Sequence, residues 1–270
     1  MGVPSFTKTW RKSTCPAIDP RRPELSAKDK TVIVTGAGSR VGSAVGLSFA
    51  QAGAPRIALV CSTQKTLQET KAKIEATCPD TTVFVSVADV SIAESMGSAA
   101  HHIRVALGAW DVFVSCTAHV PNLTTMTGAD EEDWWKAFEI NVRFFQHFAK
   151  HFLPKRRPDA TYIDVNGDAA HLPAGFMPKT SAYAASKLAA AKLDEYLALE
   201  NSSLRVFTVH PGVLDTQILQ KHINRGGQLT ARSEDDDLSL PGDFTVGLRA
   251  RKQNFCDQQD ISGQTGMSKR

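Results

Sequence analysis

Apolar residues along the chain fall into short continuous runs separated by longer amphipathic stretches. The runs occupy residues 31–34, 57–60, 82–85, 112–114, 162–165 and 205–209. Each run is short enough for a buried strand, and each gap is long enough to hold a helix, which is the pattern of βαβ units. The pattern therefore predicts a single α/β domain whose parallel sheet is covered by helices on both faces.

Aromatic spacing predicts one helix between the fourth and fifth runs. Acidic residues at 130–133 would form its first turn, where negative charge favours a helix. The aromatic residues that follow share one face at helical spacing: Trp134, Phe138, Phe145, Phe148 and Phe152. A stripe of this kind is typical of a protein core or an oligomer interface rather than of a ligand site.

The two ends of the chain lack this periodicity. Residues 1–28 contain four prolines and predict an N-terminal arm laid over the domain, which we place at 29–250. Residues 251–270 are polar and predict a disordered tail without a strand, so we expect the final strand of the sheet to be missing. The polar, glycine-containing segment 213–239 is the expected lid of a pocket.

Composition argues against several classes of protein. Lysine and arginine total 31 against 28 acidic residues, and the net charge of +3 is too small to indicate nucleic-acid binding. No run approaches the roughly 18 apolar residues that a membrane span needs. The five cysteines are odd in number and show no CxxC spacing. We therefore expect no disulfide framework, no bound metal and a reducing, cytoplasmic location.

A glycine-rich turn follows the first predicted strand and leads into a helix. Residues 35–42 read Thr-Gly-Ala-Gly-Ser-Arg-Val-Gly. Glycines allow a tight turn and a close approach of a ligand to the backbone, and the start of a helix presents N–H groups to phosphate. The position predicts a dinucleotide site, although an ordinary turn can share the same composition.

The end of the second predicted strand bears on which dinucleotide binds. Enzymes that use NAD usually place a carboxylate there, about 20 residues beyond the turn, to hold the ribose 2′-hydroxyl. Residues 60–65 contain no acid. Hydroxyl groups such as that of Ser62, together with Lys65 and Arg40, would suit a 2′-phosphate, so we expect NADP(H).

Tyr183 and Lys187 open a predicted helix that is rich in alanine and leucine. Four residues apart, they share one helical face. A phenol has a pKa near 10 and is a poor acid–base group at neutral pH unless a neighbouring cation lowers that pKa, which is the expected effect of Lys187. In isolation such a pair would be an ordinary helix surface.

The ordered set of these features resembles the short-chain dehydrogenase/reductase family, particularly its fungal members, over about residues 25–246. The matching pieces, in chain order, are the turn at 35–42, Asp89, Asn141, the pair Tyr183 and Lys187, and His210-Pro211-Gly212 leading to Thr216. The resemblance implies a Rossmann-like, doubly wound parallel sheet and a bound nicotinamide cofactor.

The resemblance also implies roles for individual residues. Tyr183 would exchange a proton with the substrate oxygen, Lys187 would lower the pKa of Tyr183 and hold the nicotinamide ribose, and Asn141 would hold a proton-relaying water. Without the resemblance, Asn141 would be interpreted as a buried, hydrogen-bonded residue, and Arg143 fits a surface ion pair as well as a cofactor contact. The implied cofactor-binding set is Gly36, Arg40, Val41, Gly42, Ser62, Asp89, Arg143, Tyr183, Lys187, Leu214 and Thr216.

Two segments depart from the family's pattern near the expected cofactor. Arg40 replaces a glycine of the turn, so the loop must be reshaped or Arg40 must contact phosphate. Residues 115–118 read Ser-Cys-Thr-Ala in place of Asn-Asn-Ala-Gly, which keeps small side chains but loses a bracing asparagine.

A third departure concerns the chemistry itself. Gly167 stands where the family's catalytic serine is expected. That serine donates a hydrogen bond to the substrate oxygen, and losing such a donor typically costs about 10²–10³ in rate. Asn166 or a protonated Asp168 could substitute for the serine; otherwise Tyr183 acts alone and turnover is slow.

These observations favour an NADP(H)-dependent oxidoreductase. It would transfer hydride between nicotinamide and a ketone or secondary alcohol of a hydrophobic small molecule, by analogy in secondary metabolism. The alternatives keep the fold and drop the redox step: a template for cyclisation, isomerisation or dehydration, or a nucleotide sensor. We expect a small-molecule substrate and neither nucleic acid nor membrane as a partner, and a homo-oligomer is left open.

Overall fold

Six parallel strands form one sheet in the order β3–β2–β1–β4–β5–β6. The computed structural model describes residues 15–212 and 239–250 of the 270-residue chain. The strands are β1 (Thr31–Thr35), β2 (Arg56–Cys61), β3 (Thr82–Val87), β4 (Trp110–Ser115), β5 (Arg156–Val165) and β6 (Arg205–Val209). The helices are α1 (Arg40–Gln51), α2 (Gln64–Thr77), α3 (Ala93–Leu107), α4 (Glu131–Asn141), α5 (Arg143–His151), α6 (Ser181–Glu200) and α7 (Ser239–Ala250).

This strand order confirms the predicted doubly wound α/β fold. Each predicted apolar run lies within one strand, and all adjacent strands pair in parallel. β5 is longer than predicted because it begins at Arg156, which pairs with Trp110 across a register shift. The chain crosses from β3 back to β4 on the far side of β1, so the direction of winding reverses between β1 and β4.

Several predicted segments lie outside the described residues. They are residues 1–14 of the arm, 213–238 of the lid with Leu214 and Thr216, and the tail 251–270. The domain boundaries and the roles assigned to these segments stay predictions.

The helices bury a separate apolar core on each face of the sheet. In β4, Phe113 belongs to the core beneath α3, α5 and α6, whereas Val112 and Val114 belong to the core beneath α1, α2 and α7. Successive residues of a strand point to opposite faces. Because both faces are covered, the strands are mainly apolar on both faces instead of alternating regularly with polar residues.

The aromatic stripe spans two helices rather than the single one predicted. α4 ends at Asn141 and α5 begins at Arg143, with Val142 between them (φ −114°, ψ −54°). The N–H of Phe145 donates to the carbonyl oxygen of Val142 at 3.0 Å, a bond between residues i and i+3. Such a bond tightens the backbone locally, and it interrupts the regular helix at this point.

The predicted core role of the stripe holds for its second half. Phe145, Phe148 and Phe152 are buried. Trp134 and Phe138 are only half-buried, and their ring centroids lie 5.1 Å apart on α4. The stripe thus passes from the surface of α4 into the core beneath α5.

α7 fastens the segment before β1 to the domain. Arg249 is buried and donates hydrogen bonds to the carbonyl oxygens of Leu25 at 2.8 Å and Ser26 at 2.5 Å. Nearer the start of α7, Ser48 of α1 donates to the carboxylate of Asp243 at 2.8 Å. The described part of the N-terminal segment is therefore held by hydrogen bonds as well as by packing.

The helices and cysteines of the described ranges show two further properties. No helix in residues 15–212 or 239–250 combines the length and the apolar character needed to cross a membrane. The described cysteines, Cys15, Cys61, Cys78 and Cys116, all carry free thiols. Burial raises the pKa of the Cys116 thiol, which therefore stays protonated at neutral pH.

Replacing Phe113 with alanine should destabilise the fold severely. The side chain is 0% exposed, and its ring centroid lies 4.7 Å from that of Phe148 and 5.2 Å from that of Phe152. A cavity at such a site costs about 3–5 kcal/mol of unfolding free energy. Urea unfolding measures the loss, and Val105→Ala on the exposed face of α3 should change stability by less than about 0.5 kcal/mol. Equal losses in the two variants would contradict the assigned core.

Candidate active site

A cleft of about 670 Å³ opens at the carboxyl ends of the strands. It lies where the winding reverses between β1 and β4, which is the usual ligand position in doubly wound folds. Its walls come from the turn after β1, the ends of β2 and β3, the loops after β4 and β5, and the start of α6. The parallel sheet therefore brings together the separate motifs that the sequence contains.

Two glycines allow the turn after β1 to fold tightly. Gly36 has φ +64°, and a Cβ atom built on it would lie 2.6 Å from the carbonyl oxygen of Cys116. A Cβ atom on Gly42 would collide with the carbonyl oxygen of Gly36. Ser39 caps α1, because its hydroxyl oxygen accepts a hydrogen bond from the N–H of Gly42 at 3.0 Å. The start of α1 thus reaches the cleft, where its N–H groups favour an anion.

Arg40 is accommodated as the first residue of α1. Its exposed side chain lines the cleft, as do Ser62 and Thr63 just beyond β2. Lys65 is exposed on α2 and is not among the residues that line the cleft. The structure therefore brings Arg40 and Ser62 to one site as predicted and places Lys65 outside its lining.

Of the other predicted cofactor residues, some line the cleft and others lie outside its lining. Gly36, Val41 and Asp89 line the cleft. Gly42 is buried beneath the turn, and Arg143 is exposed on α5 outside the lining. Gly42 thus supports the turn without lining the cleft, whereas Arg143 lies on the surface, and its role stays a prediction.

Tyr183 and Lys187 line the cleft from the first turns of α6. The Tyr183 hydroxyl lies 3.0 Å from the position that a Cβ atom on Gly167 would occupy. Lys187 is buried, and its Nζ donates to the carbonyl oxygen of Val165 at 3.2 Å. The predicted pair is therefore packed against the end of β5 and the loop that follows.

The structure contradicts the expectation that Lys187 lowers the pKa of Tyr183. Burial raises the pKa of Tyr183, and the carboxylates of Asp168 and Asp164 raise it further. Burial also lowers the pKa of Lys187, although the charges of Asp164 and Asp194 oppose that shift. The Lys187 ammonium is balanced by buried acids, not by the phenol. Tyr183 therefore stays protonated at neutral pH.

The loop at Gly167 offers few substitutes for the expected serine. Asn166 is committed within the protein, since its Nδ2 donates to the carbonyl oxygen of Lys187 at 3.2 Å and its Oδ1 accepts from the N–H of Gly167 at 2.8 Å. The carboxylate of Asp168 lies 3.5 Å from Nε2 of His210. Asn166 thus secures the loop to α6, and Asp168 faces an imidazole on the cleft wall.

Asn141 is buried at the end of α4 and bridges two elements. Its Oδ1 accepts from the N–H of His119 at 2.8 Å. Its Nδ2 donates to the carbonyl oxygen of His119 at 3.0 Å and to the hydroxyl oxygen of Ser186 at 2.9 Å. Both donors of the amide are therefore used to brace the loop after β4 against α6, which matches the buried, hydrogen-bonded alternative. The water-holding role stays a prediction.

Two buried acids beside Lys187 were missed as site residues. Asp164 lies in β5 and Asp194 in α6, and each is only 3% exposed. Burial raises the pKa of Asp164 and raises that of Asp194 well above its usual range, although Lys187 lowers both. The sequence held a signal for each, because an acid inside an apolar run or a helix rich in alanine and leucine is costly unless it is paired or protonated.

The chain matches known proteins along most of its length. The profile of the family described as short chain dehydrogenase matches residues 30–225. A short chain dehydrogenase/reductase of Claviceps purpurea is 28% identical over 259 residues, which cover 94% of this chain and 84% of the relative. The short chain dehydrogenase citE of Monascus ruber is 30% identical over 268 residues, which cover 96% of this chain and 89% of the relative.

Two solved structures share the fold. The alcohol dehydrogenase from the archaeon Thermococcus sibiricus, complexed with 5-hydroxy-NADP, superposes with a TM-score of 0.70 at 22% identity, covering 81% of this chain and 89% of its own. The L-sorbose reductase from Gluconobacter frateurii, complexed with NADPH and L-sorbose, gives a TM-score of 0.72 at 22% identity, covering 84% and 93%. At this identity the likeness concerns the fold alone.

Replacing Asp194 with asparagine should make stability less dependent on pH. Because its pKa is raised in the folded chain, the unfolded chain releases this proton first as pH rises above about 4. This group therefore destabilises the fold by up to about 1.4 kcal/mol per pH unit until the folded chain also releases the proton. Asparagine has no proton to release, so the variant should gain stability relative to the wild type over this interval.

Urea unfolding at about pH 4 and about pH 7 measures the change. Glu200→Gln, at an exposed position near the end of the same helix, is the control and should show no comparable trend. A stability difference between Asp194→Asn and the wild type that is constant with pH would show that Asp194 ionises normally in the folded chain.

Proposed function

The chain belongs to the short-chain dehydrogenase/reductase family of oxidoreductases, and on that premise we propose that it is an NADP(H)-dependent carbonyl reductase or alcohol dehydrogenase. Hydride would pass between the nicotinamide and the carbonyl carbon of a hydrophobic small molecule. One observation carries the proposal: the Tyr183 hydroxyl faces Gly167 in the same cleft that receives the turn at Gly36.

The residues of the cleft fit a dinucleotide. The turn is tight because Gly36 adopts a positive φ, and its close contact with the backbone of Cys116 leaves no room for a side chain. The N-terminus of α1 supplies N–H groups and a positive dipole end for a diphosphate. Asp89 and Val90 line the end of the cleft where an adenine would lie. When bound, NADPH would supply the hydride.

The end of β2 supports NADP(H) over NAD(H). Arg40, Ser62 and Thr63 line this part of the cleft and offer one positive charge and two hydroxyls, which suit a 2′-phosphate. Residues 60–65 include no carboxylate that would repel the phosphate or hold a 2′-hydroxyl. The two structural relatives described above were solved with 5-hydroxy-NADP and with NADPH, which is consistent with this preference.

Tyr183 would be the proton donor. Its raised pKa keeps the phenol protonated at neutral pH, which supplies the proton but makes the group a weaker acid than a free phenol. In the reductive direction, the Tyr183 O–H bond breaks as a new O–H bond forms on the substrate oxygen. Gly167 contributes no side-chain donor beside this proton, so we expect turnover about 10²–10³ slower than with a serine there.

The cleft wall near Tyr183 suggests the character of the substrate. Val120, Ile140 and Met177 line it with apolar surface. We therefore propose a hydrophobic carbonyl compound and, by analogy with the fungal relatives, a role in secondary metabolism. The free thiols of the described cysteines are compatible with a reducing cytoplasm as the place of action.

Gly167 also favours a second candidate function. A cleft that lacks the serine donor could use the same walls as a template for cyclisation, isomerisation or dehydration, with the nucleotide as a scaffold. Consumption of NADPH separates the two candidates, because a template reaction leaves the cofactor unchanged.

Replacing Tyr183 with phenylalanine should abolish NADPH consumption with a panel of hydrophobic ketones. Loss of the proton donor is expected to lower kcat by about 10²–10⁴. NADPH binding, followed by fluorescence, should change little because the ring is kept. Tyr196→Phe makes the same change at an exposed position of the same helix and should keep full activity. The template function is favoured over the oxidoreductase if no ketone consumes NADPH, or if Tyr183→Phe keeps the wild-type rate.

Replacing Arg40 with alanine should weaken NADPH binding without affecting NADH binding. The guanidinium is expected to pair with the 2′-phosphate, and loss of such a charged contact costs about 1.5–3 kcal/mol, or roughly tenfold to a hundredfold in Kd. Fluorescence titration with each cofactor measures the effect. Lys73→Ala removes an exposed charge from α2 and is the control. A parallel loss for NADPH and NADH would contradict recognition of the 2′-phosphate by Arg40.

A further inference from the structure

We infer that His119 and Asp133 form a second acid–base centre in the cleft, which removes a proton from the carbon next to the carbonyl group of a ketone bound at Tyr183. His119 is the base, and Asp133 is a positioning residue that acts through it. The inference deepens the proposed function and rests on it in one respect, namely that Tyr183 binds the carbonyl oxygen. It narrows the substrate class to ketones that carry a hydrogen on the α-carbon.

The imidazole of His119 reaches the cleft from the loop after β4. His119 lines the cleft together with Val120 and Tyr183. Its side chain is 19% exposed, so it is largely enclosed and still in contact with solvent. Nε2 of the ring lies 3.2 Å from Oδ1 of Asp133, in the first turn of α4. A ring nitrogen that faces a carboxylate carries the proton, which makes Nδ1 the nitrogen with the lone pair.

Asp133 is itself held by two hydrogen bonds. Its Oδ2 accepts from the N–H of Asn122 at 2.7 Å. Its own N–H donates to Oδ1 of Asp130, the N-cap of α4, at 2.9 Å. The first turn of a helix also favours a negative charge. A carboxylate fixed in this way sets the tautomer and the orientation of a histidine base.

The backbone of His119 is fixed independently of its ring. Oδ1 of Asn141 accepts from the His119 N–H at 2.8 Å, and Nδ2 of Asn141 donates to the His119 carbonyl oxygen at 3.0 Å. The same Nδ2 donates to the hydroxyl oxygen of Ser186, whose hydroxyl donates to the carbonyl oxygen of Tyr183 at 2.8 Å. A continuous chain of hydrogen bonds therefore sets the position of His119 relative to the helical turn that carries Tyr183.

Tyr183 provides the hydrogen-bond donor that such a base requires. Burial above all raises the pKa of Tyr183, which keeps its O–H bond intact at neutral pH. A donor of this kind stabilises the negative charge that develops on a carbonyl oxygen when the α-carbon loses its proton. A base and a donor in one cleft are the two groups that enolisation of a ketone needs.

The step balances without any change of oxidation state. The α-C–H bond breaks, and its proton passes to Nδ1 of His119. The electron pair of that bond forms a C=C bond to the carbonyl carbon, and the π electrons of the carbonyl move to the oxygen, which accepts a hydrogen bond from Tyr183. Return of a proton from His119 restores the ketone. The α-hydrogen therefore exchanges with solvent, and no reagent is consumed.

A second pair of histidine and carboxylate on the cleft fits this role less well. Nε2 of His210 lies 3.5 Å from Oδ2 of Asp168, which is longer than an ordinary N–H···O hydrogen bond. The His210 side chain is also 39% exposed, about twice as much as that of His119. The ring of His119 is therefore the better oriented of the two, and Asp168 is included in the test as the competing base.

Proton NMR of ketones in D2O, with the full chain and NADP⁺, tests the exchange directly. NADP⁺ has no hydride to give, so reduction does not compete. The probe is β-tetralone within a panel of hydrophobic ketones, because each of its α-carbons carries a pair of hydrogens. We expect saturable exchange of one hydrogen of a pair, whereas enolisation in solution replaces both. Equal exchange of both, or no exchange above that of buffer with any ketone of the panel, would overturn the inference.

His119→Ala should lower the exchange rate about 10²–10⁴-fold, the usual contribution of a general base. Asn141 bonds only to the backbone of His119, so we expect the variant to fold, and His119→Gln replaces it if it does not. Free imidazole should restore exchange to His119→Ala by at least about tenfold, which loss of a merely structural contact would not allow. His102→Ala removes an exposed imidazole from α3 and should match the wild type.

Three outcomes of this series contradict the assignment of His119. They are wild-type exchange in His119→Ala, a loss that imidazole does not reverse, and a loss in Asp168→Asn that His119→Ala does not share. The first two would leave the ring a structural role at most, and the third would make Asp168 the base.

The positioning role of Asp133 has a readout of its own. Nitrogen NMR of the full chain labelled at histidine, at about pH 8, should show the His119 ring with its proton on Nε2. Asp133→Asn should change this tautomer and lower the exchange rate at least about tenfold. Glu132→Gln, at an exposed neighbouring position, should change neither. A His119 ring protonated on Nδ1, neutral or charged, could not accept the α-proton and would overturn the inference.

The inference and the proposed function fail in different ways. Exchange at the α-carbon without consumption of NADPH by any ketone would keep the acid–base centre and remove the oxidoreductase. Consumption of NADPH by a ketone whose α-hydrogens do not exchange would keep the oxidoreductase and remove the acid–base centre.

Discussion

The ammonium of Lys187 is buried between β5 and α6, and a buried charge is tolerated only beside compensating groups. The backbone carbonyl of Val165 in β5 accepts a hydrogen bond from it, and the charge of the buried Asp164 stabilises it. The same region fixes the loop after β5, because Asn166 bonds to the backbone of Lys187 and to that of Gly167. Tyr183, one turn earlier on α6, lies against this loop at Gly167. The acid–base geometry therefore depends on how the charge is accommodated.

Much of the fold could be predicted from the sequence because its rules are local. A sheet covered on both faces makes neighbours such as Val112 and Phe113 both apolar, so each strand stands out as a continuous run. The turn at Gly36 needs a positive φ, which restricts its composition, and the spacing of Tyr183 and Lys187 follows from helical geometry. Each of these features is determined by residues that lie close together in the sequence.

What could not be predicted depends on contacts between distant segments. Lys187 was expected to lower the pKa of Tyr183, but burial and the charges of Asp168 and Asp164 raise that pKa, and spacing along α6 contains no information about these effects. The interruption at Val142 is likewise invisible, since aromatic spacing continues across it. Local sequence gives the candidates for a site, and tertiary packing decides their electrostatics.

The hydrogen bonds of Arg249 join residues more than 220 positions apart in the chain. A guanidinium remains charged in proteins, so without the acceptors at Leu25 and Ser26 it would be left buried with its charge uncompensated. A truncation placed directly before β1 would therefore remove both acceptors. Truncations, fusions and circular permutants should start upstream of the short helical turn Pro23–Leu25, because that turn is fastened to the last described helix.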